Sequence, residues 1–512
     1  MRKLQSYLAN QWQQGTGEGH LLFNPTTEEG LASASTEGLD LAEAVAFARE
    51  TGGPGIRAMS FADRAQALQT IASAIHEHRE ALIELGIANA GNTRGDAKFD
   101  IDGATATLTA YASFAKDLPD RPFIPDGEGL QLGRSPRFSG QHIWATRLGV
   151  AVHINAFNFP AWGMVEKFAC ALLAGMPVLE KPGTPTAMVA EEVAKIVVSS
   201  GALPEGAFSF LCGSAGDLLD HLAGQDVVAF TGSSETASLL RSHEAFVHRG
   251  TRLNVEADSL NATIIGPDLE NDSDGFDAFL SDTAREITQK AGQKCTGTRR
   301  ILVPESMMDE VTEALSAALE AVPVGNPATQ GIRMGPLTSA SQRDEVKEGI
   351  LNLATAAQIT TGGTDSPEEK GFFISPTLLK AKDAQDDVFH SKEVFGPVSS
   401  LLSYSGDIAE AAHLVARGEG SLVSSLYSDD RNFTTGLALA LAPWSGRIYL
   451  GSSRVAAHGT GPGLVLPSMI HGGPGRAGGG EELGGLRGLQ FYMQRCAMQG
   501  FKSTIEGSFG QI

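Results

Sequence analysis

Four residues set far apart along this chain would, if brought together, perform the chemistry of a thiolate on a carbonyl carbon. Cys295 stands in Gly292-Gln293-Lys294-Cys295-Thr296, Glu256 in Leu253-Asn254-Val255-Glu256-Ala257-Asp258, Asn158 in Asn158-Phe159-Pro160, and Glu393 in Glu393-Val394-Phe395-Gly396-Pro397. A thiolate is a better nucleophile than a hydroxyl, and with an aldehyde it forms a thiohemiacetal. The side-chain amide of Asn158 and the backbone N–H of Cys295 are the donors expected for the developing oxyanion. Glu256 is expected to be partly buried, with its pKa raised, and to activate water against a thioester. Taken singly, each fragment has a plainer reading. A lone cysteine is more often a packed thiol, Asn-Phe-Pro can simply end a strand in a turn, and most glutamates are solvated. Their occurrence together gives the set its weight.

The elements that must position these residues follow from apolar periodicity. Between 150 and 266 the pattern alternates strand and helix. Strands are expected at 150–154, 178–179, 208–211 and 227–230, with helices carrying Trp162, Val165, Ala169, Leu172 and Leu173, and then 185–199. Short apolar runs separated by amphipathic helices imply a parallel sheet covered on both faces, hence an α/β fold. A second α/β unit begins near Asn261, with strands at 301–303, 398–402 and 422–426 and helices near 276–290 and 306–321. Cys295 then lies on a loop between helix and strand, facing a cleft. Ahead of these units, 7–13 and 21–24 read as short strands and 39–116 as helical. Residues 119–147 read as a hairpin extension, and the glycine-rich tail from Gly451 as tight loops. Lys181 ends one strand at the carboxyl edge of the first sheet, where a lysine reaches a dinucleotide's ribose or phosphate. Phe230-Thr231-Gly232-Ser233 ends another and opens a helix, directing backbone N–H groups at a pyrophosphate. No GxGxxG fingerprint occurs there. Glu393 and Phe395 precede a strand of the second unit, from which a carboxylate would hold the nicotinamide ribose or simply enter the strand.

Composition narrows the classes. At 512 residues two or three structural units are expected, and the formal charge of −21 argues against a nucleic-acid partner. The four cysteines are scattered, with no CxxC pair or histidine cluster, so neither a disulfide framework nor a metal site is expected and a reducing, cytoplasmic compartment is. No apolar signal core opens the chain and no run is long enough to span a bilayer, so no membrane association is expected.

Together these residues resemble the aldehyde dehydrogenase superfamily over nearly the whole chain, from Trp12 and Asn24-Pro25-Thr26-Thr27 to Glu481-Glu482-Leu483-Gly484. The resemblance implies Cys295 as nucleophile, Asn158 as oxyanion donor and Glu256 as general base. It implies that Lys181, Thr184, Gly216, Gly232, Ser233, Glu393 and Phe395 contact a nicotinamide cofactor. The implied architecture is a Rossmann-like dinucleotide-binding domain (1–118 and 148–260), an α/β catalytic domain (261–450) and small oligomerisation segments (119–147 and 485–512), assembling a homodimer or a dimer of dimers. Three stretches, 153–160, 255–261 and 471–487, are similar to the subgroup that oxidises CoA-linked semialdehydes in aerobic phenylacetate and benzoyl-CoA degradation. The stretch 212–222 points to the phenylacetate branch. There the dehydrogenase is often fused to a hydratase, which in this case is expected as a separate protein.

The chain departs from the superfamily pattern in three places. Val255-Glu256-Ala257-Asp258-Ser259 replaces the usual Glu-Leu-Gly-Gly-Lys, Ala237 replaces the helix glycine after Thr231-Gly232-Ser233, and the interval from Glu256 to Cys295 is longer by a few residues. Thr184 is neutral where NAD-preferring relatives often carry Glu, which removes repulsion towards a 2′-phosphate; NADP is expected, with NAD possible. A CoA-acylating relative and a non-catalytic scaffold are the alternatives. The first generally lacks the base and the second loses the nucleophile or the base, whereas both residues are present here.

Overall fold

The computed structural model describes residues 1–510; residues 511 and 512, the last two of the expected 485–512 segment, lie outside the described residues. Two seven-stranded sheets organise the chain. The first runs in the order Arg252–Glu256, Val227–Thr231, Ala151–Ile154, Val178–Lys181, Phe208–Phe210, Ser6–Leu8, Gln11–Gln13. Its first five strands are parallel, and the two N-terminal strands add antiparallel at the far edge. The parallel strands are apolar on both faces because helices cover both sides, as their continuous hydrophobic runs require. From Ala151–Ile154 the chain crosses first to Val178–Lys181 on one side, and later returns as Val227–Thr231 on the other. Such a reversal opens a crevice at the carboxyl ends of the strands.

The second sheet has the order Ala357–Thr361, Thr377–Ala381, Val398–Tyr404, Arg300–Pro304, Ala262–Ile265, Ser421–Tyr427, Ser445–Gly451, parallel throughout except for its first strand. The helix Asp274–Thr288 begins with Ser273 capping the Phe276 N–H, and its apolar face packs Phe276, Phe279 and Ile287 under the sheet.

A third, three-stranded sheet pairs Phe123–Gln131, Phe138–Thr146 and Met493–Phe501 antiparallel, the last two in register from Met493↔Thr146 to Phe501↔Phe138. Leu130, Leu132, Phe138 and Phe501 are exposed on it. Among the described residues no helix is long and apolar enough to cross a membrane.

Candidate active site

Asn158 follows the strand Ala151–Ile154, and the segment that holds it is tied down from three sides. Asn155 donates to Glu180, Thr186 donates to the Phe157 carbonyl, and the backbone N–H groups of Ala161 and Trp162 donate to Asp100 at 3.2 and 2.8 Å. Asp100 thus caps the helix Trp162–Ala174, which has no capping side chain of its own.

Cys295 is placed by a different device. After the helix Asp274–Thr288, Lys290, Ala291 and Gly292 all take left-handed backbone angles, with φ of 55°, 52° and 68°. The first two are strained for residues with a Cβ, while at Gly292 a Cβ would overlap the Gly396 carbonyl. Side chains fix the loop that follows. Lys294 donates to Glu286 and Gln289, both at 2.8 Å, and Gln293 accepts from the Thr338 N–H and hydroxyl. Asn261 donates to the carbonyls of Cys295 (2.7 Å) and Gly297 (2.9 Å). Arg299 adds the carbonyls of Gly292, Gly396 and Lys294 and the carboxylate of Glu393.

Glu256 ends the strand Arg252–Glu256 in register with Thr231. Glu256, Cys295 and Asn158 line one small cavity, together with Phe159, Trp162, Glu166, Lys167, Thr231 and His471. Cys295 is half-buried, and Glu256 and His471 are buried. His471 Nε2 lies 3.7 Å from Cys295 Sγ, in hydrogen-bonding geometry. It also lies 3.3 Å from Glu256 Oε2, an ion-pair contact without hydrogen-bond alignment. Behind them Lys167 sits 3.1 Å from Glu482 and 3.6 Å from Glu166.

The electrostatics correct one expectation. Burial would push the Glu256 carboxyl up, but His471, and beyond it Lys167, more than offset this and hold it down at about 2. The raised pKa expected for Glu256 belongs instead to Glu166, which burial pushes up to about 7. Burial and the charge of Glu256 raise the Cys295 thiol, against a lowering contact from His471. Burial opposes charge on His471, yet Glu256 and Cys295 beside it lift it well above its ordinary value.

The remaining expected contacts fall in two places. Lys181 ends and Thr184 follows the strand Val178–Lys181, Gly216 lies beyond its neighbour Phe208–Phe210, and Gly232 and Ser233 follow Val227–Thr231, which Ala151–Ile154 separates from the other two. All lie at the carboxyl edge of the first sheet, and Lys181 donates to the Pro182 carbonyl. Ser233 caps the helix Ser234–Ser242 by accepting from the Thr236 N–H. Glu393 is not free: it accepts from Arg299 Nε at 2.9 Å and from the Ser259 N–H at 2.8 Å. Phe395 stacks edge-on against Phe157, under the Arg299 guanidinium.

The family model described as the aldehyde dehydrogenase family matches residues 12–497. This chain belongs to that family. It is 42% identical over 479 residues, 92% of this chain and 93% of the relative, to the 3,4-dehydroadipyl-CoA semialdehyde dehydrogenase of Aromatoleum evansii. It is 28% identical to the geranial dehydrogenase of Castellaniella defragrans, over 90% and 91% of the two chains. Betaine aldehyde dehydrogenase from Staphylococcus aureus, solved in complex with NAD+, shares the fold with a TM-score of 0.85, at 23% identity and 97% coverage of both chains. The chain is thus an NAD(P)-dependent aldehyde dehydrogenase.

Several residues of this aldehyde dehydrogenase pocket escape a sequence reading. Glu166 and Lys167 carry a signal in hindsight, two ionisable residues inside the otherwise apolar helix Trp162–Ala174. Of the basic residues His471, Arg476 and Arg487 in the tail, His471 lines the pocket. Arg476 donates to the Gly418 carbonyl and Arg487 pairs with Glu481.

Proposed function

We propose that this enzyme oxidises a CoA-linked semialdehyde to its carboxylate by covalent catalysis at Cys295, using NADP in preference to NAD. The observation that carries the reading is the meeting of a thiol, a carboxylate and an amide (Cys295, Glu256, Asn158) in one small cavity. Sγ adds to the aldehyde carbon, and the oxygen that becomes anionic is met by the Asn158 amide and the Cys295 N–H. A nicotinamide held beside the pocket would supply the acceptor for the hydride that the carbon gives up. Glu256 then takes a proton from water, hydroxide adds to the thioester carbon, and the C–S bond breaks to release the acid. A carboxylate held at about 2 is ionised and ready to accept that proton, but it must first part from His471.

Lys181, Thr184, Gly216, Gly232 and Ser233 would hold the dinucleotide along the sheet edge. The residues fit such a group: Thr231 Oγ1 and Ser234 Oγ are buried there with no partner among the described residues, next to the helix start. Glu393 and Phe395 would close over the ribose side, and Glu393, which already accepts from Arg299 on one oxygen and from the Ser259 N–H on the other, keeps a further lone pair on each for a hydroxyl. The neutral Thr184 supports NADP. The relative from Aromatoleum evansii supports a dehydroadipyl-type CoA semialdehyde over the phenylacetate-derived one suggested by 212–222. Exposed apolar residues on the third sheet support a homodimer or a dimer of dimers. Four unpaired cysteines fit a reducing cytoplasm.

Cys295→Ala should abolish NADPH formation with every aldehyde, and retained turnover would eliminate the mechanism. Acid released without added CoA separates hydrolysis from acyl transfer. A panel of both CoA-linked semialdehydes and free aldehydes with each cofactor ranks substrates by kcat/KM; a clear preference for NAD, or for free aldehydes, overturns that part of the reading.

A further inference from the structure

We propose that His471 is the cation that lets the Cys295 thiolate and the Glu256 carboxylate carry charge together in one buried pocket. The role rests on the cysteine mechanism above, which needs a nucleophilic sulfur and, one step later, an ionised carboxylate. Two anions side by side in a water-poor site oppose one another, and one of them ordinarily keeps its proton. Nε2 of His471 touches both groups, at 3.7 Å from Sγ and 3.3 Å from Oε2, and its alignment is with the sulfur.

The other charges around the site are already engaged. From the helix Trp162–Ala174, Lys167 pairs with Glu482 of the strand Glu481–Leu483 and with Glu166 of its own helix. From the strand Ser445–Gly451, Arg447 donates to the carbonyls of Leu464 and Pro462. On the nucleophile loop, Lys294 pairs with Glu286. The imidazole is left facing Cys295 and Glu256.

Its placement is built in. His471 is the middle residue of the strand Ile470–Gly472 and pairs with Glu482 across the ladder, which fixes the backbone from which the buried imidazole reaches the pocket. In turnover the S–H proton leaves to pocket water while Nε2 keeps its own, so no bond to His471 is made or broken. Once the sulfur is acylated its charge is gone, the imidazolium is left with Glu256 alone, and that carboxylate parts from it to take the proton from water. When the C–S bond breaks, the departing thiolate regains its cation.

The test is alkylation of Cys295 by iodoacetamide from pH 5 to 9, which requires neither substrate nor cofactor. It is quantified on the Cys295 peptide, because the exposed Cys496 also reacts. His471→Asn should slow alkylation at pH 7 by about 10- to 100-fold and move the inflection to higher pH, a loss of one to two pK units of thiolate stabilisation. Glu256→Gln should move the inflection to lower pH. The double variant should recover most of the rate lost in His471→Asn, because the opposing carboxylate is gone. A purely structural role for His471 predicts no such recovery. A His471→Asn profile that overlays the wild type, or a double variant as slow as His471→Asn, overturns the proposal. Where His471→Asn does not fold, the Glu256→Gln arm decides, and an unshifted inflection there is refutation. Failure of turnover on all CoA-linked aldehydes with the alkylation profiles as stated removes the substrate reading and leaves this one standing.

Discussion

Arg299→Met tests whether one buried guanidinium holds the nucleophile loop and the loop of Glu393 together. Arg299 is buried and makes four hydrogen bonds: to Glu393 at 2.9 Å and to the carbonyls of Gly292, Gly396 and Lys294 at 3.1, 3.0 and 3.0 Å. Methionine keeps the apolar stem and removes every donor. Stranding a buried carboxylate costs about 3–5 kcal/mol, and three carbonyls losing one bond each add about 1 kcal/mol apiece. The ceiling is therefore near 8 kcal/mol. Two effects lower it: burial already raises the Glu393 carboxyl, so it takes up a proton when Arg299 is gone, and the Ser259 N–H continues to donate to it. An expected loss of about 4 kcal/mol corresponds, at about 2.1 cal/mol/K of unfolding entropy per residue over a chain of 512 residues, to a melting point lower by about 4 °C. Glu393→Gln placed in the same background should recover about 1–3 kcal/mol of it by removing the stranded acid. Differential scanning fluorimetry of the two single variants, the double variant and the wild type reads both quantities, and Cys295 alkylation reports whether the loop has moved. A single variant melting within a degree or two of wild type, or a double variant that melts lower still, would refute this account of Arg299.

Three further outcomes are expected. Asn261→Ala removes the donor to the Cys295 and Gly297 carbonyls and the acceptor for the Val423 N–H and the Ser259 hydroxyl, so stability should fall by about 2–4 kcal/mol; kcat should fall more than KM rises, and steady-state kinetics will show whether it does. Glu166 is held up at about 7, so between the usual 4.5 and that value the unfolded chain releases its proton while the folded one keeps it, and stability declines as pH rises through this window. Melting curves of Glu166→Gln should lack that decline, and curves parallel to wild type would contradict the burial assigned to Glu166. Replacing Leu130 and Leu132 together by Asp should shift the assembly towards monomer in light scattering with the melting point little changed, since both side chains are exposed in the single chain.

Much of this architecture is legible in the sequence where neighbours in the chain are also partners in space. The strands read at 178–179 and 227–230 form as Val178–Lys181 and Val227–Thr231, and the helix read at 276–290 forms as Asp274–Thr288, ending before Lys290 and Ala291 turn left-handed ahead of the loop that carries Cys295. The convergence of Cys295, Glu256 and Asn158 follows from the resemblance of whole motifs rather than from any one of them. What stays hidden depends on partners remote in sequence. Met493–Phe501 is mostly exposed and carries no apolar alternation, and it is a strand because Phe138–Thr146 offers it nine paired positions. His471 sits in a three-residue strand amid glycines, and its approach to Cys295 is set by the ladder to Glu481–Leu483. Glu393 reads as a loop acid awaiting a ribose, whereas Arg299, on an adjacent element, takes one of its oxygens. Glu256 reads as a carboxylate whose burial raises its pKa; the opposite holds because of that same histidine.

The glycine wealth of the tail has a consequence for how this enzyme can vary. A Cβ at Gly446 would overlap the carbonyl oxygen of Gly472, the residue next to His471, and one at Gly472 would overlap that of Gly480. Backbone lies on backbone there, as tightly as in the centre of a sheet, with no side chain to yield. Drift and engineering alike should find these positions closed to every other amino acid, though neither carries a functional group. A residue scan would colour them as severely as the nucleophile itself, and their silence in the chemistry would make them easy to misread as part of it.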